Sequence, residues 1–318
     1  MLLVVFIIPG TMYRKTSIQP TEPEDLAAPT EQAPTDPILP DQITVEIHVL
    51  MQDGTVGTMD LEDYVVGVVL AEVPASFNPE ALKAQAVASR TFGLKRSLRA
   101  DKHKVGAVCL NSGCCQGYST EEAYLAKGGT RENLEKIKSA VQKTRGQVIT
   151  YDGLLADTAY FSCSGGRTED AVAVWGADVP YLRSVDSPGE EEAAHFSSTV
   201  TFSKNEFAEK LGLTVGSLCG QWQGTAEYSD GGGVRTVWIA GRIFKGTEVR
   251  QKLGLRSTVF VISESENAIT VTTKGYGHRV GMSQYGANAM ANSGSTYNQI
   301  LAHYYQGTEL VTWHETTN

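Results

Sequence analysis

The segment LEDYVVGVVLAEV, residues 61–73, places the carboxylate of Glu72 at the end of a long apolar run. Val69, Leu70 and Val73 are its aliphatic neighbours, and the C-terminal end of a helix carries partial negative charge. Both surroundings disfavour an ionised carboxylate, so we expect the pKa of Glu72 to be raised. A carboxyl group that stays protonated near neutral pH can donate a proton to a leaving oxygen. The alternative is a glutamate whose head group reaches solvent at the end of the helix.

A second group of reactive side chains lies in HKVGAVCLNSGCC, which contains His103, Cys109, Cys114 and Cys115. Zinc prefers tetrahedral nitrogen and sulfur donors, so these four residues form a candidate structural zinc site with a closed coordination sphere. The chain has five cysteines, three of them within seven residues, which is a poor pattern for a disulfide framework. The alternatives are reduced thiols beside a surface histidine, or a strained disulfide between the two adjacent cysteines.

Two glycine-rich turns carry groups that suit a hydroxyl-rich ligand. YFSCSGGRTED contains Ser162, Ser164 and Arg167 beside paired glycines, and GYGHRVGMSQYGANA places His278 and Arg279 before a predicted helix. Glycines allow a ligand to approach the backbone closely. The alternative for each segment is an ordinary turn.

Cys163 and His278 allow a competing interpretation, in which a thiol nucleophile is activated by a histidine base. This arrangement predicts a peptidase, and it requires that the two side chains meet in an electropositive setting. Nothing in the local sequence indicates such a setting. The remaining cysteine, Cys219 in SLCGQW, is predicted to be a small buried hydrophobic residue.

Helix start and stop signals define the elements that position Glu72. Asp60 is a good N-cap for a helix over 61–72, and Pro74 ends it. Asn78 caps a second helix that begins at a proline and runs to about Leu98. The 3.6-residue period places four residues on one stripe of this second helix, namely Leu82, Ala86, Arg90 and Gly93.

The rest of the chain alternates between helical and strand-forming segments. A strand is predicted at ITVEIHVL, residues 99–120 are loop-like, and short helices are expected near 121–127 and 131–143. Further strands are predicted at GQVITYDG, LADTAYFS, STVTFS and between RTVWIAG and NAITVTTKG, with helices at KNEFAEKLG, GTEVRQKLG, MSQYGANAMANSG and TYNQILAHYYQG. This mixture predicts an α+β fold with antiparallel strands rather than an alternating parallel sheet.

Composition sets the class of protein and its organisation. The chain has 318 residues, 41% of them hydrophobic, and a net charge of −9 with no basic run, which argues against nucleic acid as a partner. The apolar run MLLVVFIIPG predicts that residues 1–15 are the remnant of a membrane anchor or signal, and the alternative is an ordinary buried strand. Residues 16–42 are rich in Pro, Thr and acidic residues and predict an extended spacer, with the folded domain over 43–318.

Four segments, in this order, together resemble the sporulation stage II protein D family, over about residues 43–310. They are EDYVVGVVLAEVPASFNPEALKAQAVASRTF, YFSCSGGRTED, GYGHRVGMSQYGANAMA and ILAHYYQGTEL. Members of this family are lytic transglycosylases that cut the glycan strands of peptidoglycan during engulfment in spore formers. Any one segment alone would be weak, whereas all four in order are specific.

The resemblance implies roles for particular residues. Glu72 matches the catalytic acid of the family's AEVP motif, and Arg90 matches an arginine associated with activity. Tyr160, Ser164 and Gln284 are the candidates to stabilise an oxocarbenium-like transition state by neutral dipoles. Some clostridial relatives carry zinc near the cysteine-rich segment. In those relatives histidine and cysteine share the zinc ligation, whereas this chain has two adjacent cysteines, Cys114 and Cys115. The resemblance implies a small hydroxyl residue at position 163, and this chain departs from the family there because it has Cys163.

The resemblance also implies a reaction and its setting. Cleavage between N-acetylmuramic acid (MurNAc) and N-acetylglucosamine (GlcNAc) would leave a 1,6-anhydro end, on strands without stem peptides. The protein would lie outside the cytoplasm, anchored to the membrane of the engulfing mother cell and facing the wall. Its partners would be a peptide-stripping amidase/endopeptidase and a membrane scaffold, and a homodimer is left open. The alternative within the same sequence class is a non-catalytic amidase enhancer that binds glycan.

Overall fold

The computed structural model describes residues 44–51, 53–100, 102–103 and 106–313. The predicted anchor over 1–15 and spacer over 16–42 lie outside these residues. Within the described ranges, no helix is both long and apolar enough to cross a bilayer.

The first sheet brings the start of the domain beside the cysteine-rich segment. Strand β1 (Glu46–Leu50) pairs antiparallel with β2 (Val56–Asp60) and parallel with the short β3 (Val108–Cys109). Leu50 lies opposite Cys109 in this register. The sheet therefore fixes where the loop after β3 begins.

Helix α1 (Leu61–Glu72) has the bounds that its sequence predicts. The Asp60 side chain accepts hydrogen bonds from the backbone N–H groups of Glu62 and Asp63, which caps the helix start. Val73 is extended and precedes Pro74, so the helix ends at Glu72. Most of the helix is buried, and Glu72 therefore emerges from the core at its last turn.

Helix α2 (Pro79–Ser97) is the central element of the first hydrophobic core. It is capped by the Asn78 side chain, which accepts a hydrogen bond from Glu80 N, as predicted. It packs against α1 and three other helices, which are α4 (Arg131–Gln142), α8 (Gln284–Asn292) and α9 (Tyr297–Tyr304). Elements from the beginning and the end of the described domain thus meet on α2.

The remaining elements of this first core are short. They are α3 (Glu121–Ala126), β4 (Gln147–Tyr151), β5 (Leu154–Leu155), β6 (Tyr160–Phe161), α5 (Ala171–Trp175), β13 (Met282–Ser283) and β14 (Glu309–Thr312). Strand β4 lies between β14 and β5, with antiparallel pairing. Strands β6 and β13 pair in parallel and place Tyr160 opposite Met282 and Phe161 opposite Ser283.

Residues 197–274 form a second hydrophobic core with two antiparallel sheets. One sheet has the order β11 (Val259–Glu264), β12 (Ala268–Lys274), β7 (Ser197–Ser203), and the other β10 (Arg242–Lys245), β9 (Val234–Ile239), β8 (Gln223–Tyr228). Helices α6 (Lys204–Leu211) and α7 (Gly246–Leu253) pack on each other beside them. Ser197 is opposite Lys274, so the first and last residues of this segment are neighbours.

The α+β class predicted from the sequence is confirmed. Strands β2, β3, β8, β13 and β14 and helix α5 were not predicted, and LADTAYFS divides into β5 and β6, which join different sheets. A strand of two residues depends on distant pairing partners, so local sequence carries little signal for it. Cys219 is exposed, which corrects the prediction that it is buried: in SLCGQW the buried side chains are Leu218 and Trp222.

Candidate active site

Glu72 lies half-buried in a groove of about 1100 Å³. The backbone N–H of Gly117 donates to Glu72 Oε1 at 2.6 Å, and the Gln284 side chain also hydrogen-bonds the carboxyl group. Burial raises the pKa of Glu72, and these two hydrogen bonds partly oppose the shift. The raised pKa agrees with the expectation from sequence, and desolvation is its main physical cause.

Behind Glu72, polar side chains form a connected network inside the core. Gln284 Nε2 donates to Gln85 Oε1 at 3.5 Å, and Gln85 Nε2 donates to Ser89 Oγ at 3.0 Å. The Ser89 hydroxyl hydrogen-bonds Tyr160. Gln85 and Ser89 are at most 1% exposed, so each depends on these partners.

The network returns to Glu72 through the loop after β3. Gln116 Nε2 donates to the Tyr160 hydroxyl at 2.7 Å, and Gln116 Oε1 accepts from the Tyr64 hydroxyl at 2.7 Å. Gln116 precedes Gly117, whose N–H binds Glu72. Sequence reasoning missed Gln85, Ser89 and Gln116. The one available signal was a pair of polar residues spaced i, i+4 on a buried stretch of α2.

Four of the seven residues predicted to bind substrate line this groove: Tyr160, Ser162, His278 and Gln284. The His278 ring packs against Phe161 and Trp175, with centroid separations of 5.6 and 5.2 Å. Burial, followed by the charge of Arg250, lowers the pKa of His278 to about 4. His278 is therefore neutral at physiological pH and forms part of an aromatic wall.

Ser164 and Arg279 are buried and do not line the groove, which corrects their predicted role as substrate ligands. The Ser164 hydroxyl donates to Glu190 Oε2 at 2.7 Å. Arg279 pairs with Glu169 at 3.0 Å and donates from Nε to the Ser164 carbonyl oxygen at 2.7 Å. Arg279 Nη2 also donates to the carbonyl oxygen of Gly231 at 2.6 Å, so its role is to join the two cores.

Arg90 is fully buried, which corrects the prediction that it faces the groove. Its Nε and Nη2 bind Glu62 Oε1 and Oε2 at 2.9 and 2.5 Å, and its Nη1 donates to the Gln147 carbonyl oxygen at 3.2 Å. The four residues of the predicted helical stripe are all buried, and the Arg90 guanidinium contacts α1, α4 and β4. Arg90 thus stabilises the scaffold that carries Glu72.

The thiol nucleophile proposed as an alternative is excluded by its surroundings. Cys163 has no exposed surface, and its Sγ donates to Glu190 Oε2 at 3.2 Å. Burial, with the charge of Glu190 as the second cause, raises the pKa of the thiol to about 12. A reactive cysteine needs a lowered pKa and access to its substrate. The imidazole Nδ1 of His278 accepts from Val280 N instead, at 3.1 Å.

Glu190 is a buried carboxylate that sequence reasoning missed. Besides Cys163 and Ser164, it accepts hydrogen bonds from Gly165 N at 2.9 Å and from the Ser187 hydroxyl at 2.7 Å. It also accepts from the hydroxyl of Ser283, the residue that caps α8 and precedes Gln284. Glu190 therefore fixes the helix start that presents Gln284 to Glu72.

The four predicted metal ligands come together. The ligand atoms of His103, Cys109, Cys114 and Cys115 all lie within 4.8 Å of one another, with His103 Nε2 at 3.7 Å from Cys114 Sγ and 3.5 Å from Cys115 Sγ. A tetrahedral zinc site with bonds of about 2.0–2.3 Å requires ligand separations of roughly 3.3–3.8 Å. Both histidine–cysteine distances lie in this range, so the donor set could hold a metal ion.

Comparison with known proteins identifies the family of this chain. The model of the family described as Stage II sporulation protein matches residues 52–151. Stage II sporulation protein D of Bacillus subtilis is 42% identical over 80% of this chain and 76% of its own length. The protein of that name from Bacillus amyloliquefaciens is 41% identical over 80% of this chain and 75% of its own length.

A more distant relative has a different name. The amidase enhancer of Bacillus subtilis is 30% identical over 78% of this chain, and the match spans 40% of that protein. The two proteins above have a higher identity to this chain and match more of their own length, so they decide the family. The chain belongs to the stage II sporulation protein D family.

Proposed function

We propose that this protein is a lytic transglycosylase that acts during engulfment in sporulation. It cleaves the MurNAc–GlcNAc bond of peptidoglycan glycan strands from which the stem peptides have been removed, and it leaves 1,6-anhydro-MurNAc ends. The observation that carries the proposal is Glu72, a carboxyl group with a raised pKa held in a large groove by Gly117 N–H. Such a group can serve as a general acid near neutral pH.

The reaction needs one group that donates a proton and later accepts one. The protonated Glu72 carboxyl donates its proton to the oxygen that links C1 of MurNAc to C4 of GlcNAc, and the C1–O bond breaks. The resulting carboxylate takes the proton of the C6 hydroxyl of the same MurNAc while O6 bonds to C1. GlcNAc leaves with a free 4-hydroxyl, and no water is consumed.

The groove suits a mechanism with a single carboxylate. Among the described residues, Asp157 is the other acidic residue that lines it, and its Oδ2 pairs with Lys95 Nζ at 2.8 Å. Hydrolases that use two carboxylates need the second one free to act on water or on C1. Positive charge that develops at C1 would instead be stabilised by neutral dipoles, for which Tyr160 and Gln284 are placed beside Glu72.

We also propose that His103, Cys109, Cys114 and Cys115 hold one zinc ion per chain. With four protein ligands, zinc would act structurally and would supply no chemistry to the reaction. It would fix the loop after β3, whose Gly117 donates to Glu72.

The setting follows from the substrate. Peptidoglycan lies outside the cytoplasm, so we propose an extracytoplasmic protein tethered at the engulfing membrane. A peptide-stripping amidase/endopeptidase would supply its substrate, and a membrane scaffold would hold the enzymes together. The names of the relatives, which refer to sporulation and to an amidase enhancer, support this setting.

Product analysis tests the proposed activity. Wild-type protein mixed with glycan strands that lack stem peptides is expected to release anhydro-muramyl products, detected by mass spectrometry. Glu72→Gln should abolish them, whereas Cys163→Ser should retain them because serine can still donate to Glu190. Reducing ends in place of anhydro ends would show hydrolysis and would contradict the proposal.

A non-catalytic enhancer is the second candidate, and the 30% identity to an amidase enhancer favours it. It predicts that the wild-type protein binds glycan strands without cleaving them. It also predicts that a partner amidase works faster in the presence of either wild-type protein or Glu72→Gln.

A further inference from the structure

A second cavity lies beside the groove that contains Glu72. Its volume of about 400 Å³ falls within the range of roughly 300–1,000 Å³ that is usual for ligand pockets. Trp175 lines both the groove and this cavity, so the two are neighbours that share one side chain. We call this cavity the Trp175 pocket.

The walls of the Trp175 pocket come from distant parts of the chain. Val172 and Trp175 belong to α5, whereas Thr236 belongs to β9 and Thr247 to α7. Val172 and Trp175 are 46% and 47% exposed, so two apolar side chains of one short helix stay open to solvent. Apolar surface combined with a few polar groups in a cavity is typical of ligand sites.

A buried carboxylate with an unused acceptor lines the same pocket. Glu169 is 2% exposed, and its Oε1 accepts hydrogen bonds from Arg279 Nη1 at 3.0 Å and from the Ser229 hydroxyl at 2.7 Å. Its Oε2 has no hydrogen-bond partner among the residues that the structure describes. A buried polar atom without a partner is unfavourable, and in native proteins water or a ligand usually satisfies it. The pocket therefore contains an acceptor for a bound hydroxyl or amide N–H group.

The polar groups of the pocket suit a sugar ring. Four hydroxyl side chains line it, those of Ser229, Thr236, Thr247 and Thr258. Hydroxyl groups both donate and accept hydrogen bonds, which matches the hydroxyl and acetamido groups of an N-acetylated sugar. The exposed indole of Trp175 offers an apolar face to the C–H groups of such a ring.

The position of the pocket indicates which sugar it meets. Trp175 is part of the groove wall, and its ring packs against the His278 ring of that wall at a centroid separation of 5.2 Å. A strand that lies in the groove and extends past Trp175 enters the pocket next. The sugar in the pocket therefore belongs to the polymer on which Glu72 acts, at a distance from the bond that is cleaved.

We propose that the Trp175 pocket binds an N-acetylated sugar of the same glycan strand, away from the bond that Glu72 cleaves, and so makes the enzyme favour long strands over short ones. This inference rests on the proposed function and adds a second contact to it. Because the contact is the same before and during cleavage, it should raise affinity without changing kcat. Short oligosaccharides that fill only the groove lack this contact.

Binding is measured without cleavage in full-length Glu72→Gln. Glycan strands without stem peptides are separated by length, labelled and titrated by fluorescence anisotropy. Long strands should bind about tenfold more tightly than tetrasaccharides. The number of binding registers also grows with strand length, so a variant is needed to show that the pocket is the cause.

Filling the pocket locates the effect. Thr247 is exposed on α7 and lines the pocket but not the groove, so Thr247→Trp occupies the pocket alone. In the Glu72→Gln background it should bind long strands about tenfold more weakly and tetrasaccharides unchanged. Val172→Trp fills the pocket from α5 and should give the same result. The matched control is Gln251→Trp, an exposed position of α7 outside the pocket, and it should bind like its parent.

Kinetics provide a second readout. With Glu72 intact, Thr247→Trp should lower kcat/KM on long strands about tenfold and leave kcat unchanged, because only binding away from the cleaved bond is lost. Thermal unfolding confirms that each variant is folded. A fall in kcat on tetrasaccharides would show that the substitution disturbs the groove, which would contradict a separate pocket.

The outcomes separate this inference from the proposed function. If Thr247→Trp and Val172→Trp bind long strands like their parent while wild-type protein cleaves them, the inference is overturned and the transglycosylase stands. Failure of wild-type protein to cleave any strand overturns the proposed function, whereas loss of long-strand affinity in both filled variants would still support the pocket. Arg235 and Lys245 also line the pocket, so a phosphate-rich wall polymer is titrated as well. If that polymer binds more tightly than glycan and loses its affinity in Thr247→Trp, the pocket belongs to it and the inference is overturned.

Discussion

Gly117 donates its backbone N–H to Glu72 Oε1 at 2.6 Å, and it lies two residues beyond Cys115. One hydrogen bond therefore joins the candidate general acid to the loop after β3, which carries two of the four candidate metal ligands, Cys114 and Cys115. Because a hydrogen bond to the ionised form opposes the raised pKa of Glu72, the conformation of this loop affects the acidity as well as the position of the carboxyl group.

Metal removal is expected to reduce both stability and activity. A chelator, or Cys109→Ser, should release about one zinc ion per chain and lower Tm by roughly 5 °C or more, because the loop after β3 loses its crosslink. Added zinc should restore the chelated wild-type protein. Cys219→Ser is the control, since Cys219 is exposed and outside the cluster. Protein that contains no metal when purified under reducing conditions would contradict the assignment.

Gly117→Ala is expected to slow cleavage with little effect on glycan binding. A Cβ at this position would lie 3.0 Å from Glu72 Oε1 and 3.4 Å from Ala71 Cβ, so the carboxyl group must move. A displacement of this kind should lower kcat by roughly ten- to a hundredfold. Gly216→Ala serves as the control, because a Cβ there meets no atom within 4 Å. Unchanged kcat in Gly117→Ala would show that the contact is dispensable.

The ionisation of Glu72 should be visible in stability as well as rate. Since its pKa is raised in the folded state, protonated Glu72 contributes stability fully below about pH 4.3, and this contribution is lost as pH rises through the raised pKa. The Tm of Glu72→Gln relative to wild type should therefore be higher at pH 7 than at pH 4. The kcat/KM of wild-type protein should fall as pH rises through the same range.

Glu206 provides a control of opposite sign. Hydrogen bonds from the backbone and side chain of Ser203 lower the pKa of this exposed carboxylate, so its contribution is lost as pH falls. The Tm of Glu206→Gln relative to wild type should be lower at pH 7 than at pH 4. A Glu72→Gln response in this same direction would contradict a raised pKa.

Arg90→Ala is expected to destabilise the protein rather than weaken glycan binding. It leaves Glu62, whose side chain is 12% exposed, without its bidentate partner, which should cost about 3–5 kcal/mol in the free energy of unfolding. Urea denaturation measures this change. Lys252→Ala, which breaks an exposed pair with Glu248, should cost less than about 0.5 kcal/mol. If Arg90→Ala were fully stable and bound glycan more weakly, Arg90 would contribute to glycan binding in the groove, which would contradict this structural role.

Local signals predicted the ends of the helices around Glu72. They also predicted the set of four metal ligands. Asp60, Pro74 and Asn78 fix helix ends through contacts with residues next to them, so these bounds follow from the sequence. The cysteine-rich segment identified its four ligands because all of them lie within thirteen residues of chain.

Contacts between distant residues could not be predicted in the same way. Gln116 reaches Tyr64 and Tyr160, and Gln85 reaches Gln284, across 44 to 199 residues of chain. The helical period placed Arg90 on a stripe, but it does not state whether that stripe meets a groove or a second helix. A partner such as Glu62 is apparent only after α1 and α2 have packed.

The pairing of Ser197 with Lys274 means that the chain leaves and re-enters the first core at one place. The segment from Ser197 to Lys274 has 78 residues. Its length can change without changing the distance that its flanking residues must bridge. Arg279 ties this segment to the first core, because its Nη2 donates to the Gly231 carbonyl oxygen. The residues that line the Glu72 groove lie outside this segment, so a change in its length would leave the groove in place.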